Sequence, residues 1–285
     1  MPEGPDRGVL NLLGDEPRGF ESGSLRSLVA TQGSEMAEEF EDRDLSDSVF
    51  WGVDLRRATF RDVNLSGVSI SHSLLDGVDI DAKIDRLVIN GVDVTDYVNE
   101  RDRWYPLRAM VRAADPDGAR AAWAALEQTW AATIARADRL TDAQRHERVD
   151  GEWSFAETLR HLLLAMDKWF TAPILGEGFH PIGMPNSGSV DFPWPGLDRD
   201  AAPSYDEVLA ARAQRADRFR AWLDELEAAD LTREVEVLEN GTVTVHDCVF
   251  TVLEEEFEHD RYADRDLAVL ESRAVHDPDN EEPNR

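Results

Sequence analysis

The chain has 285 residues, 42% of them hydrophobic, with 30 basic against 59 acidic side chains and a formal net charge of −29. That length accommodates two folded units, and a field so negative repels nucleic acid and anionic membrane surfaces, which excludes both as partners. No apolar run approaches the roughly 18 residues of a bilayer span, and the single cysteine, Cys248, rules out an internal disulfide and a thiolate-rich metal site.

Residues 1–35 are rich in Gly, Pro, Ser and acidic groups and lack the basic start and apolar stretch of a signal peptide. They are expected to be disordered, and the protein to be cytoplasmic. Residues 36–96 contain an internal repeat. Large apolar residues recur every five positions at Phe40, Leu45, Phe50, Leu55, Phe60, Leu65, Ile70, Leu75 and Ile80, a period that neither a helix nor an ordinary strand has. Val53, Ala58, Val63, Val68 and Val78 stand two positions earlier, and Asp44, Asp54, Asn64 and Asp79 directly precede the large residue. The pattern resembles the pentapeptide-repeat family. That resemblance implies a short right-handed quadrilateral β-helix, with large residues stacked inside and ends that need caps. The segment 84–94, with its Asn90-Gly91 turn signal, reads as the cap.

A polar connector is expected over 97–114, and a four-helix bundle over 115–272. Asp115-Pro116 is an N-cap with a first-turn proline, and Trp123, Leu126, Trp130, Ile134 and Ala137 share one face of the first helix. Ser154 to Glu157 forms a capping box for the second helix, whose stripe is Phe155, Leu159, Leu162, Met166 and Trp169. A Gly- and Pro-rich loop follows over 176–203. Ser204 to Glu207 opens the third helix, which carries Leu209, Ala216, Phe219, Leu223 and Leu226. Val235 and Val237, then Val243 and Val245, alternate with polar residues around Asn240-Gly241, the pattern of a hairpin. The fourth helix runs from Val245 to Ser272, and an acidic disordered tail is expected over 273–285. Four amphipathic helices with one long crossover make a bundle.

On the last helix Glu255 and His259 lie four residues apart, on the face shared with Val252, Tyr262 and Ala263. A buried acid and imidazole must be paired or bound to a cation. His161, at the flank of the second helix's stripe, adds a third donor, enough for a site with an open position. The plainer readings are a surface pair for Glu255 and His259 and a hydrogen-bonded core histidine for His161. The stretch from Trp153 to Leu162 resembles the start of helix 2 in actinobacterial DinB-like proteins, and that from Glu254 to Leu267 resembles their last helix. The resemblance covers residues 112–272. It implies a divalent metal, zinc or nickel, held by His161, Glu255 and His259 in the manner of the mycothiol-dependent maleylpyruvate isomerases. The neighbouring register, Glu256 with Asp260, is the alternative. Known activities in that superfamily imply a thiol-dependent S-transferase, with mycothiol as cosubstrate and a small electrophile as the other reactant. Arg261, Arg265 and the loop around His180 are candidates to seat an anionic thiol, and Cys248 reads as a core residue. The rival is a non-catalytic binding or scaffold protein, with the coil as a docking or homodimerisation platform. DNA mimicry is disfavoured, because two or three coils about 4.8 Å apart span only about 10–15 Å.

Overall fold

The computed structural model describes residues 38–40, 43–61, 63–186 and 189–275. The segment expected to be disordered at 1–35 lies outside them, as does the tail expected over 273–285 except for its first three residues, which continue the last helix. The chain divides into two units, residues 1–78 and 79–285.

In the first unit the backbone turns every five residues. Asp47, Gly52, Arg57, Gly67, His72 and Gly77 all adopt φ between 53° and 75°. The N–H groups of Ser48, Ala58 and Val68 donate to the carbonyls of Leu45, Leu55 and Leu65 at 3.0–3.1 Å. The acidic or amide residue before each large one has a local cause. Asp44, Asp54 and Asn64 each accept, through the side chain, the N–H two residues on, which sets the turn. The described residues of this unit contain no strand, and all their side chains are exposed. Large repeat residues are 45% (Leu45) to 66% (Ile70) accessible, where a stacked interior was expected. With so few repeats, each ring of apolar side chains has little more than one neighbour to close on.

The second unit begins at Asp79 and so takes in the segment read as the cap. Strands β1 (Val88–Ile89) and β2 (Val92–Asp93) pair antiparallel, and the left-handed Asn90-Gly91 between them turns the chain. The connector expected over 97–114 is partly helical: α1 spans Thr95–Asn99 and α2 spans Tyr105–Val111. Leu107 and Val111, one turn apart, are buried in the main core with Trp104 packed beside them. Charged flanks and Pro106 hide this helix from a periodicity reading, since only two apolar positions carry it.

Helix α3 spans Pro116–Ala137, with the Asp115 carboxylate accepting the N–H of Gly118 at 2.8 Å. A short α4 (Asp142–Arg145) follows. Helix α5 spans Phe155–Met166, opened by the reciprocal Ser154–Glu157 box. It continues through a π-helical turn, Asp167–Thr171, into α6 (Ala172–Leu175). Helix α7 spans Tyr205–Glu225. Strands β3 (Glu234–Val237) and β4 (Gly241–Thr244) form the expected hairpin, Val235 opposite Val243. Helix α8, Val245–Val275, starts at a box in which Thr244 and Asp247 exchange hydrogen bonds of 2.9 and 3.1 Å. This unit is thus mostly helical: α8 packs on α3 and α5, and α7 packs on the same two helices. Trp123, Phe170, Phe219 and Phe257 fill the core between them. No described helix is long and apolar enough to cross a membrane.

Candidate metal centre

Helices α5 and α8 pack face to face, and three polar side chains interrupt the apolar contact. The Nε2 of His161 on α5 stands 3.5 Å from the Glu255 carboxylate on α8. One turn along α8, His259 Nδ1 is 3.4 Å from the same carboxylate oxygen, and the two imidazole centroids are 5.0 Å apart. One donor atom from each residue lies within 4.8 Å of the other two. A tetrahedral cation with bonds of about 2.1 Å separates its ligand atoms by about 3.4 Å, so a small inward adjustment of one ring suffices.

The rings are oriented by backbone carbonyls. His161 Nδ1 donates to Met184 O at 3.1 Å, and His259 Nδ1 donates to Glu255 O at 2.9 Å. With both Nδ1 atoms protonated, the lone pair falls on Nε2; in His161 that nitrogen faces Glu255, whereas His259 presents Nδ1 to the carboxylate and must turn its ring to offer Nε2. Burial pushes the Glu255 carboxyl up, but the adjacent His161 and His259 rings and the charge of Lys168 outweigh it and hold the group below the ordinary carboxylate range. The donor set therefore fits a borderline divalent cation.

The surroundings are built by aromatic residues near each histidine in sequence and by the long loop. Trp153 lies 4.5 Å from the His161 ring and stacks at 6.0 Å on His259, while Tyr262 meets His259 edge-on at 5.9 Å. A strap from the long loop passes over α5: Arg160 donates to Ile182 O at 2.9 Å, and Met184 N donates back to Arg160 O at 3.1 Å. Gly183 allows that approach, because a Cβ there would meet Leu164 Cβ at 3.1 Å and Leu197 Cδ1 at 3.3 Å. The strap is anchored by Asp167, which accepts His180 N at 2.6 Å and pairs with Arg215 at 2.6 Å.

The neighbouring register faces elsewhere. Glu256 is gripped by Arg212 of α7, and Asp260 accepts from Thr133 of α3 at 2.7 Å. Arg261 is taken up by Asp81 and Glu258, and Arg265 by Asp266. His180 serves the strap through its backbone. Cys248 is fully buried, and burial pushes its thiol up to about 12, so it is no nucleophile at neutral pH. A sequence reading could not find the Met184 carbonyl, which carries no residue-type signal.

Burial, then the charge of His161, pushes the His259 imidazole down from 6.5 to about 4. Metal-free protein is therefore expected to keep this ring neutral to about pH 4 in a ¹⁵N-edited imidazole titration. A midpoint near the ordinary 6.5 would contradict the buried, lone-pair-ready ring. The unfolded chain takes up this proton first. The stability it contributes is therefore complete above 6.5 and lost as pH falls through about 4. Asp260, raised by burial from 3.8 to about 6, acts with the opposite sign: its contribution is lost as pH rises through about 6. The titration is accordingly read on the ring.

Residues 125–263 match the family model of the DinB superfamily, and residues 44–80 match that of pentapeptide repeats, in eight copies. No curated protein and no solved structure matches the chain.

Proposed function

We propose that the DinB superfamily domain of this chain, which follows a pentapeptide-repeat region, holds a divalent metal through His161, Glu255 and His259. In this reading the domain is a thiol-dependent S-transferase that joins a small-molecule thiol of the mycothiol type to an electrophile. The observation that carries it is the convergence of three donor atoms within 4.8 Å, with both imidazoles turned by backbone carbonyls. Zinc or nickel suits two imidazoles and one carboxylate. The chemistry such a cation supplies is Lewis acidity, which lowers the pKa of a thiol presented to it.

The chain's own groups do the rest. The neutral imidazoles and one carboxylate leave a net positive site, which favours an incoming thiolate. Glu255, the most exposed of the three side chains at 30%, marks the open edge. Trp153 and Tyr262 flank the site, and the strap over α5 keeps the His161 ring in place. The attacking sulfur comes from outside, since Cys248 is sealed in the core. The same reading makes the helical unit a four-helix bundle and the repeats a short right-handed β-helix. It also places the protein in the cytoplasm, where thiols are kept reduced.

The test is metal analysis of the purified chain, followed by thiol consumption with mycothiol and model electrophiles. Bound zinc or nickel, with consumption that a chelator abolishes, is the expected result. Absence of metal overturns the proposal. Metal without consumption leaves the second reading, a binding or scaffold protein. The exposure of every described side chain in the repeat unit favours that reading's docking role for the coil.

A further inference from the structure

Among the described residues, the three most exposed large hydrophobic side chains all lie in the repeat unit: Trp51 at 90%, Leu74 at 90% and Val49 at 83%. Val49 and Trp51 flank Phe50, and Leu74 precedes Leu75, so each adjoins the five-residue ladder. The ladder itself is more than half accessible at Phe50, Phe60 and Ile70. Side chains of this size and accessibility leave on the order of 1,500 Å² of apolar surface on the unit. The largest apolar patch of an ordinary monomer is about 300–600 Å².

Area, charge and period together say what covers this surface. A stable interface takes about 800 Å² from each partner, so roughly half of the exposed apolar area suffices. Residues 43–75 hold four arginines and four aspartates, a net charge of zero in a chain whose total is −29. Two copies repel each other through their acidic remainder, but not through this unit. The period then selects the partner. Coils of a solenoid bury their core only against neighbouring coils, so an apolar row repeating every five residues is matched by a row of the same period. A helix or an ordinary strand falls out of step with it. A second copy of the chain carries the matching row.

We propose that the repeat unit is a homodimerisation surface, on which the repeat unit of a second copy stacks with its own five-residue ladder. Trp51 and Leu74 are the anchors, large groups that lose their water on contact. The patch is the same on both copies, so a two-fold arrangement closes at two chains. The acidic remainder of each chain keeps further copies away. The inference goes beyond the metal reading and does not depend on it.

Sedimentation velocity of the full-length chain tests it. A species of twice the chain mass is expected, with a Kd of about 10 µM or tighter. Added salt should tighten it, because screening weakens the repulsion between two acidic chains. Trp51→Glu and Leu74→Glu change nearly fully exposed positions, where the fold of one copy needs neither side chain. Each should weaken the dimer at least about tenfold, and the double variant should be monomeric. Energy transfer between chains labelled at Ser66→Cys locates the contact without those variants, since Cys248 is buried. Transfer that grows with the dimer fraction is expected. A wild-type monomer at about 100 µM overturns the inference and leaves the surface to the chain's own residues 1–37 or to another protein. A dimer that survives the double variant, or one without transfer between the repeat units, overturns it as well.

Discussion

His259→Ala is expected to take the bound divalent metal from about one per chain to background, and His161→Ala to do the same. Each ring supplies one of three protein donors. Two donors leave a site whose affinity falls at least about 100-fold, more than the loss of an outer-shell partner causes. Glu255→Gln keeps the shape but removes the charge, and should weaken binding less than either histidine variant. Asp260→Asn serves as the control, because its carboxylate faces Thr133 and α3. Metal content by mass spectrometry, and affinity by competition with a chelating dye, check all four in samples whose helicity is unchanged. Full wild-type affinity in His259→Ala would mean that the ligands lie elsewhere.

The largest effect on stability is expected at Asp167. This carboxylate has no accessible surface, and its two oxygens accept from Arg215 Nε and His180 N, both at 2.6 Å. Asp167→Ala strands the Arg215 guanidinium, itself buried, and such a loss costs about 3–5 kcal/mol. For a helical unit of this size that amounts to a fall of roughly 10 °C in Tm. Asp167→Ala combined with Arg215→Met should recover most of it, since an apolar pair of similar volume is tolerated where a lone buried charge is not. The single variant should also free the strap at His180 and with it the Met184 carbonyl that orients His161, weakening metal binding about tenfold. Thermal and urea unfolding, with hydrogen exchange of the strap amides, read both consequences. A single variant within 1 kcal/mol of wild type would show that the pair is dispensable.

Much of the fold was legible because its signals are local. Asp115-Pro116, Ser154 with Glu157, and Ser204 with Glu207 announce helix starts through hydrogen bonds that span three residues. Asn90-Gly91 announces a turn through φ values that those two residues adopt readily. The five-residue repeat is equally readable, since each Asp or Asn sets its own turn. Helix α2 was not legible, because seven residues with two buried apolar positions make no periodic signal. The π-helical turn was missed for a related reason: it places Asp167 against Arg215 and Lys168 against Trp194, and neither contact is local.

The candidate site divides in the same way. Sequence by itself determined that Glu255 and His259 share a helical face, because 3.6 residues per turn stacks positions four apart. It also determined that His161 flanks an apolar stripe and that Cys248 belongs to the core. Only the tertiary structure decided that His161 meets Glu255 across nearly a hundred positions, that Glu256 and Asp260 turn instead to Arg212 and Thr133, and that Met184 and Glu255 carbonyls orient the two rings. Helix packing is a contest among whole faces for buried area, and which neighbour wins is written in no short stretch of chain.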